Sequence, residues 1–387
     1  MTTTATAPLV AADLVTELRK EVRAFIQSWW SRKGFAPGLG MNATHSPEFS
    51  LELAQRGWVG MAIPTQYGGR GSTTVERFVV AEELLAAGAP VGAHWVAERQ
   101  TAPTLLVFGT EAQRQLFLPR IAEGRCFFSI GLSEPDSGSD LASVRTTARR
   151  VDGGWLVNGT KIWTSGAHRN HFFVVLCRTR PLADDRHEGL SQLIVDLKAP
   201  GLRISPIKLL NGSHHFNEVA FTDVFVPDDM LLGEEGSGWT QITSELAHER
   251  SGPDRFMSTY PLLEQLLRDR ATDVEPAYLN ETVGRLTARY WMIRQLSLAV
   301  AHAIDRGGST SVQAAIVKDL GTTFEQDVVA SIQALLELDP DPTADSLFER
   351  QLAEATLISP SYTIRGGTTE VLRSVAAKAL RSTHHVR

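Results

Sequence analysis

Cysteine is scarce. Cys126 and Cys177 are the only two in 387 residues, and each stands singly in an apolar segment. That spacing gives no metal-ligand pattern and suits buried thiols in a reducing compartment, so neither is a catalytic candidate. Long apolar runs are also missing: no stretch approaches the roughly 18 uninterrupted residues of a membrane span, and no membrane is expected. Basic charge is not in excess either. The 38 Lys and Arg residues against 44 Asp and Glu give a net charge of -6 and a pI near 6.0. There is no basic stripe on which a nucleic acid could release counterions, and nucleic-acid partners are set aside. The opening Met1 to Leu9 is a Thr/Ala tail without a basic region leading to an apolar core, so a secretory signal is not expected and a cytoplasmic location is.

What is present is an ordinary folding composition, 43% hydrophobic and 21% charged. A chain this long exceeds one hydrophobic core, so two or three packed units are expected. From Ala11 to about Gly124 apolar residues recur at helical spacing, as in Leu14, Leu18, Val22, Phe25 and Ile26, and again across Phe78–Leu85 and Leu116–Ile121. One break, Gly57 to Gly71, is dense in Gly and Pro and must be a structured loop. Near Phe127 the period shifts towards two, with β-rich runs at Trp155–Val157, Phe172–Leu176, Leu193–Val195 and Glu218–Val226. Beyond Trp239 the helical period returns through Leu246, Leu263, Ile293, Val300, Leu335 and Val371. Helices, then sheet, then helices is an α+β order and argues against a βαβ Rossmann unit.

The segment with most chemical content is Gly131-Leu132-Ser133-Glu134-Pro135-Asp136-Ser137-Gly138-Ser139-Asp140, where a strand runs into a loop of small hydroxyl and glycine residues. Small residues let a backbone approach a flat ligand closely. A flavin needs such main-chain donors at its polar pyrimidine edge, where hydrogen bonds tune its electronics. Extended through Leu141, Ala142 and Ser143, the run fills every position of the signature of the acyl-CoA dehydrogenases, and the chain resembles that family over nearly its whole length. The Gly57–Gly71 loop, Asn158-Gly159-Thr160-Lys161-Ile162-Trp163-Thr164-Ser165, Phe221 to Pro227 and Leu232-Gly233 agree in order and spacing.

The resemblance implies an acyl-CoA dehydrogenase-like fold: an N-terminal helical domain (1–124), a central β domain (125–235) and a C-terminal four-helix bundle (236–387), with FAD between the β domain and the bundle. It implies that Leu132 and Ser133 meet the flavin pyrimidine, that Trp163 packs beside the ring, that Ser165 donates near its N5, and that Thr164 belongs to the same cofactor-binding stretch. Ser139 is implied near the thioester's CoA side, and Thr368 and Glu370 on the cofactor's nucleotide side.

Oxidation of an acyl-CoA needs a carboxylate that removes the α proton while a hydride leaves the β carbon, and that base must be near and reasonably dry. The family most often places it just before a Gly-Thr pair close to the C-terminus. That stretch here reads Tyr362-Thr363-Ile364-Arg365-Gly366-Gly367-Thr368-Thr369-Glu370, which puts Gly366 at the usual position and leaves room there beside the thioester. A minority of the family carries the base on an inner helix in a Leu-x-x-Glu-Arg context, matched by Leu246-Ala247-His248-Glu249-Arg250. Glu249 is therefore the expected base, with Arg250 holding the helix or the CoA. Pro253 should end or kink that helix, because its ring clashes with the carbonyl of Glu249. His214-His215 and His384-His385 are read as loop surface, since neighbouring histidines point apart and no carboxylate or thiol completes a metal shell.

Two elements of the family's homotetramers, Arg-x-x-Phe-Gly and Gln-x-x-Gly-Gly, are absent between Glu281 and Pro340, where Arg285, Arg289 and Gln333 lack matching glycines. With Gly366, this resembles subunits of bacterial heteromeric dehydrogenases acting on bulky steroid or alicyclic thioesters. The implied partners are an acyl-CoA, an electron-transferring flavoprotein as oxidant, and like or related subunits in a tetramer or dimer. Two other readings stay open: a non-catalytic partner subunit, and a relative resembling flavin monooxygenases or nitroalkane oxidases.

Overall fold

The computed structural model describes residues 12–41, 44–182 and 184–384; the Met1–Leu9 tail and His385 lie outside them. In chain order the elements are α1 (Ala12–Lys33), α2 (Pro47–Gln55), α3 (Thr74–Ala86), α4 (Ala102–Phe108), α5 (Glu111–Ala122), β1 (Phe128–Gly131), β2 (Thr147–Val151), β3 (Gly154–Ser165), β4 (Phe172–Arg178), β5 (Leu190–Asp196), β6 (Leu202–Lys208), β7 (His214–Pro227), β8 (Leu231–Leu232), α6 (Gly238–Glu249), α7 (Tyr260–Asp269), α8 (Pro276–Asp305), α9 (Ser311–Leu336), α10 (Leu347–Ile358) and α11 (Thr369–His384). The change of hydrophobic period along the chain thus marks a real change of structure, and the fold is α+β. Two compact units form, each from discontinuous segments. One takes the described residues among 1–44, 72–91 and 247–387, the other 45–71 and 92–246.

The second unit holds the sheet, in the order β6-β7-β3-β2-β4-β5-β8, with β1 parallel to β4. Strands β3 and β7 pair Trp155 with Val226 and Val157 with Val224, and these side chains bury against Phe173, Val175, Leu193 and Val195. The opposite side of β1, β4 and β5, carrying Phe128, Val174 and Ile194, packs under Leu105 of α4 and Phe117, Leu118 and Ile121 of α5. Covered on both faces, β4 reads as a continuous apolar run rather than an alternation. Helix α5 starts in a capping box between Thr110 and Gln113, and Gln113 Nε2 also donates to the carbonyls of Asp229 and Leu231 at 2.7 and 2.8 Å. The Gly57–Gly71 break is ordered as expected: at Gly69 a Cβ would lie 2.0 Å from the carbonyl oxygen of Ile63, so only glycine fits.

The first unit is helical. Leu286, Ile293 and Val300 recur every seventh residue on α8 and are buried, as are Phe324, Val328 and Ile332 on α9. Helix α3 opens with the capping box of Thr73 and Glu76, and Asp305 accepts from the N–H groups of Thr74 and Val75 at 2.7 and 3.3 Å, an anion at a helix N-terminus. Buried Glu82 is paired with Arg19 and Arg294. Among the described residues no helix is long and apolar enough to cross a membrane.

Two expectations need correcting. His384 closes α11 rather than lying in a loop. His214 and His215 are not loop surface but open strand β7 and are partly buried, the ring of His214 stacking on His168 at 3.9 Å and its Nε2 lying 2.8 Å from Asn217 Oδ1. A polar start hid this strand end from a hydrophobic pattern.

Candidate active site

In the sheet unit, β1 delivers the chain into the 131–143 loop, and the neighbouring strand β3 fixes that loop by main-chain and side-chain bonds. Ile162 N–H donates to the Ser133 carbonyl at 3.0 Å, and Lys161 Nζ donates to the Leu132 carbonyl at 2.9 Å. Lys161 is fully buried and pairs at 2.8 Å with Glu134, whose carboxylate also accepts from the N–H groups of Arg145 and Thr146 at 2.6 and 2.9 Å. Burial opposes the charge of Glu134, but Lys161 and these donors outweigh it and hold the carboxyl below its usual range. Burial depresses Lys161, partly offset by Glu134. Further along, the hydroxyls of Ser137 and Ser143 both donate to the Asp140 carbonyl at 2.7 Å. Ser139 is exposed at the loop tip, and the outer side of the loop borders a cavity of about 170 Å³ reached by Asp136, Arg145 and Thr160.

Strand β3 ends irregularly. Its register against β7 shifts between Lys161 and Thr164, and Trp163 sits in this bulge with φ at 58°, a left-handed conformation a bulky residue rarely takes. Its indole is about half exposed, 53%, and meets Phe216 edge-on. Thr164 turns inward: Asn217 Nδ2 donates to its carbonyl at 3.0 Å, while its buried Oγ1 has no hydrogen-bond partner among the described residues. The carbonyl of Ser165 accepts from Ser129 Oγ at 2.7 Å. Leu132, Ser133, Trp163, Thr164 and Ser165 are thus brought together. Trp163 is an exposed aromatic on strained backbone, next to a hydroxyl that points into the protein.

The helical unit holds the second set. Helix α6 ends at Glu249, and a short 3₁₀ turn, Pro253–Arg255, follows, as the Pro253 ring demands. The side chains of Leu246, Ala247 and His248 lie outside the described residues. Glu249 is mostly buried and faces Gly366: a Cβ on Gly366 would stand 3.2 and 3.3 Å from its two carboxylate oxygens. The two positions that the resemblance offers for a base therefore lie side by side. Gly366 has φ at 68°, which favours glycine there for backbone reasons as well. Arg250 Nε donates to the Gly366 carbonyl at 3.1 Å. Behind this turn Thr368 and Glu370 open α11, where Glu370 is held below the usual carboxylate range by its own N–H and the Thr368 hydroxyl.

Two residues here had no motif to flag them. Arg255, buried, pairs with Glu249 and with Asp254; burial disfavours its charge, but Glu249, Asp254 and Glu325 more than offset this. Lys318 of α9, also buried, donates to the carbonyls of Gly367 and Thr363 at 2.6 and 3.3 Å. Burial, with Arg255 and Arg365 nearby, pushes its pKa down to about 7. The unfolded chain then binds a proton that the folded one does not between about pH 7 and 10, so this lysine makes stability rise with pH across that window. Wild type should gain stability relative to Lys318→Met between pH 7 and 10, by about 2 kcal/mol or more, in parallel urea titrations; a constant difference would show that Lys318 keeps an ordinary pKa.

Three family models together match most of the chain: acyl-CoA dehydrogenase N-terminal domain over residues 14–125, middle domain over 129–224 and C-terminal domain over 236–381. Among curated proteins, acyl-CoA dehydrogenase FadE29 of Mycobacterium tuberculosis is 34% identical over 87% of this chain and 89% of its own. Acyl-CoA dehydrogenase IpdE1 of the same organism is 33% identical over 94% and 96%. Among solved structures, the Tcur3481-Tcur3483 steroid ACAD superposes with a TM-score of 0.84 at 29% identity, covering 97% of this chain and 99% of the other. The ChsE4-ChsE5 complex from Mycobacterium tuberculosis does so with a TM-score of 0.78 at 28% identity, covering 96% and 97%.

Proposed function

The chain belongs to the acyl-CoA dehydrogenase family and is an oxidoreductase of that kind, a family of flavoproteins, and we propose that it binds FAD and converts an acyl-CoA to its 2-enoyl-CoA with Glu249 as the base. The observation that carries this reading is the Glu249 carboxylate standing against Gly366, with Oε2 free of any hydrogen-bond partner among the described residues. A carboxylate that dry and half-satisfied is suited to receive a proton. FAD, when bound, supplies the acceptor for the two electrons that leave with the β hydrogen.

In this reading the chain's own residues divide the work. Leu132 and Ser133 offer main chain to the cofactor, Trp163 covers its ring, and Ser165 donates to it from the stretch that also holds Thr164; Thr368 and Glu370 belong to its nucleotide end. Ser139 and Arg250 hold the CoA thioester, and Gly366, lacking a side chain, leaves room for the Glu249 carboxylate to stand beside it. Glu249 Oε2 takes the α proton. An electron-transferring flavoprotein reoxidises the enzyme.

A bulky, branched or cyclic acyl group and a related partner subunit are part of the proposal. They are supported by Gly366, by the missing glycine motifs of α8 and α9, and by the likeness to a steroid ACAD and to a two-protein complex. Anaerobic mixing with a panel of linear, branched, alicyclic and steroid-side-chain thioesters tests the reading, with the chain purified alone and co-expressed with related subunits. Flavin bleaching with enoyl-CoA formation is expected for the bulky members, and flavin occupancy is expected to be low without a partner. Full loading of the lone chain would remove the need for a second subunit, and no bleaching by any thioester would remove the dehydrogenase assignment.

A further inference from the structure

Arg255 lies six residues beyond Glu249 in the turn that Pro253 imposes, with its side chain 1% exposed. Its guanidinium holds Glu249 at two points: Nη2 donates to the carboxylate oxygen Oε1, and Nε donates to the Glu249 main-chain carbonyl at 3.2 Å. That carbonyl is one of those left over at the end of α6 and would otherwise need another donor. The same Nε lies 3.1 Å from Asp254 Oδ2, so its one N–H is shared between the Glu249 carbonyl and that carboxylate, and Asp254 helps hold the guanidinium in place. Its remaining nitrogen, Nη1, and the remaining oxygen, Glu249 Oε2, both border the space over Gly366, and neither has a hydrogen-bond partner among the described residues.

We infer that Arg255 is a positioning residue that clamps one oxygen and the backbone of Glu249 and leaves the other oxygen, Oε2, unengaged beside Gly366 as the proton acceptor. This rests on Glu249 being the base. A carboxylate with no such clamp could rotate about its last torsions and offer either oxygen in several directions. Held by a planar fork, it offers one. Lysine cannot reproduce this, since a single ammonium is a point charge without the fork geometry. Arg250, though adjacent in sequence, does not take the role: it is bonded to the Gly366 carbonyl.

The base step can be read apart from oxidation. The 3-thia analogue of whichever thioester bleaches the flavin carries sulfur at the β position and has no hydride to give. Its Cα–H bond can still break, the proton passing to Glu249 and the electron pair staying on the enolate, and return of a solvent deuteron then labels Cα. In D₂O, Glu249→Gln should abolish this exchange. Arg255→Lys keeps a positive charge beside Asp254 and should slow exchange and kcat by roughly 10²-fold, the scale of a misplaced catalytic group, with the analogue's Kd changed less than about threefold. Should Arg255→Lys not fold, by thermal unfolding, Asp254→Asn with Arg255→Gln carries the same readout without leaving a charged Asp254 opposite the lost guanidinium. Exchange at the wild-type rate in the folded variant, with Glu249→Gln inactive, overturns the clamp. Exchange surviving in Glu249→Gln overturns the base assignment, and the clamp with it.

Discussion

Glu249→Gln should lower the rate of flavin bleaching by the preferred acyl-CoA by roughly 10²–10⁴-fold while leaving thioester affinity nearly unchanged. Glutamine has the size and shape of glutamate, and its carbonyl oxygen can still accept from Arg255, so the pairing observed at that side chain and the packing against Gly366 survive. What disappears is an oxygen able to take a proton. Rapid-mixing absorbance of the flavin, with Kd measured separately, checks both halves. A loss confined to affinity would mean that Glu249 only binds, and unchanged bleaching would sink the assignment outright. The same variant separates the competing readings. A non-catalytic partner subunit would show no bleaching before the substitution either, and a monooxygenase-like relative would consume oxygen and hydroxylate its product with or without Glu249.

Much of the fold was legible because each element carries its own local pattern. The seventh-residue recurrence of Leu286, Ile293 and Val300 declares a helix, Trp155 and Val157 declare alternation, and Pro253 ends α6 by a steric rule that involves only four residues. The loop at 131–143 was legible as a motif, and so was Glu249. What the sequence did not disclose are contacts between distant segments. Gly366 touching the carboxylate of Glu249 joins residues more than a hundred positions apart, and no spacing encodes it. Arg255, Lys318 and Lys161 are buried charges, and an isolated lysine or arginine is by default assigned to solvent. A cue existed for Arg255: Asp254-Arg255 interrupts an otherwise weakly polar stretch ending in Phe256-Met257. Trp163 was found as a motif residue, but its left-handed backbone is imposed by the bulge against β7 and has no signal of its own.

The Glu134–Lys161 pair leads to the second large effect. Lys161→Met should destabilise the protein by about 3–5 kcal/mol, because it strands the buried carboxylate of Glu134 without its counter-charge. A buried ion pair is weak evidence for stability, however, since desolvation of both ions consumes much of the attraction; the depressed Lys161 reflects that cost. Combining Lys161→Met with Glu134→Gln removes both charges but keeps a single oxygen, which can accept from the N–H of Arg145 or of Thr146 and not from both, so part of the stability should return in a denaturant titration. Flavin occupancy should not return with it. In the double variant the Leu132 carbonyl has lost the ammonium that ties it to β3, so the segment proposed to face the pyrimidine keeps the Ile162–Ser133 main-chain bond but loses the tie next to it and can shift at Leu132. Stability and cofactor loading should therefore part company: an unfolding midpoint raised above that of Lys161→Met alone, with a flavin-to-protein ratio that stays well below that of the wild type under the same co-expression. If occupancy recovers together with stability, the pair serves the sheet alone, and the Leu132–Ser133 main chain needs no such anchoring to hold the flavin.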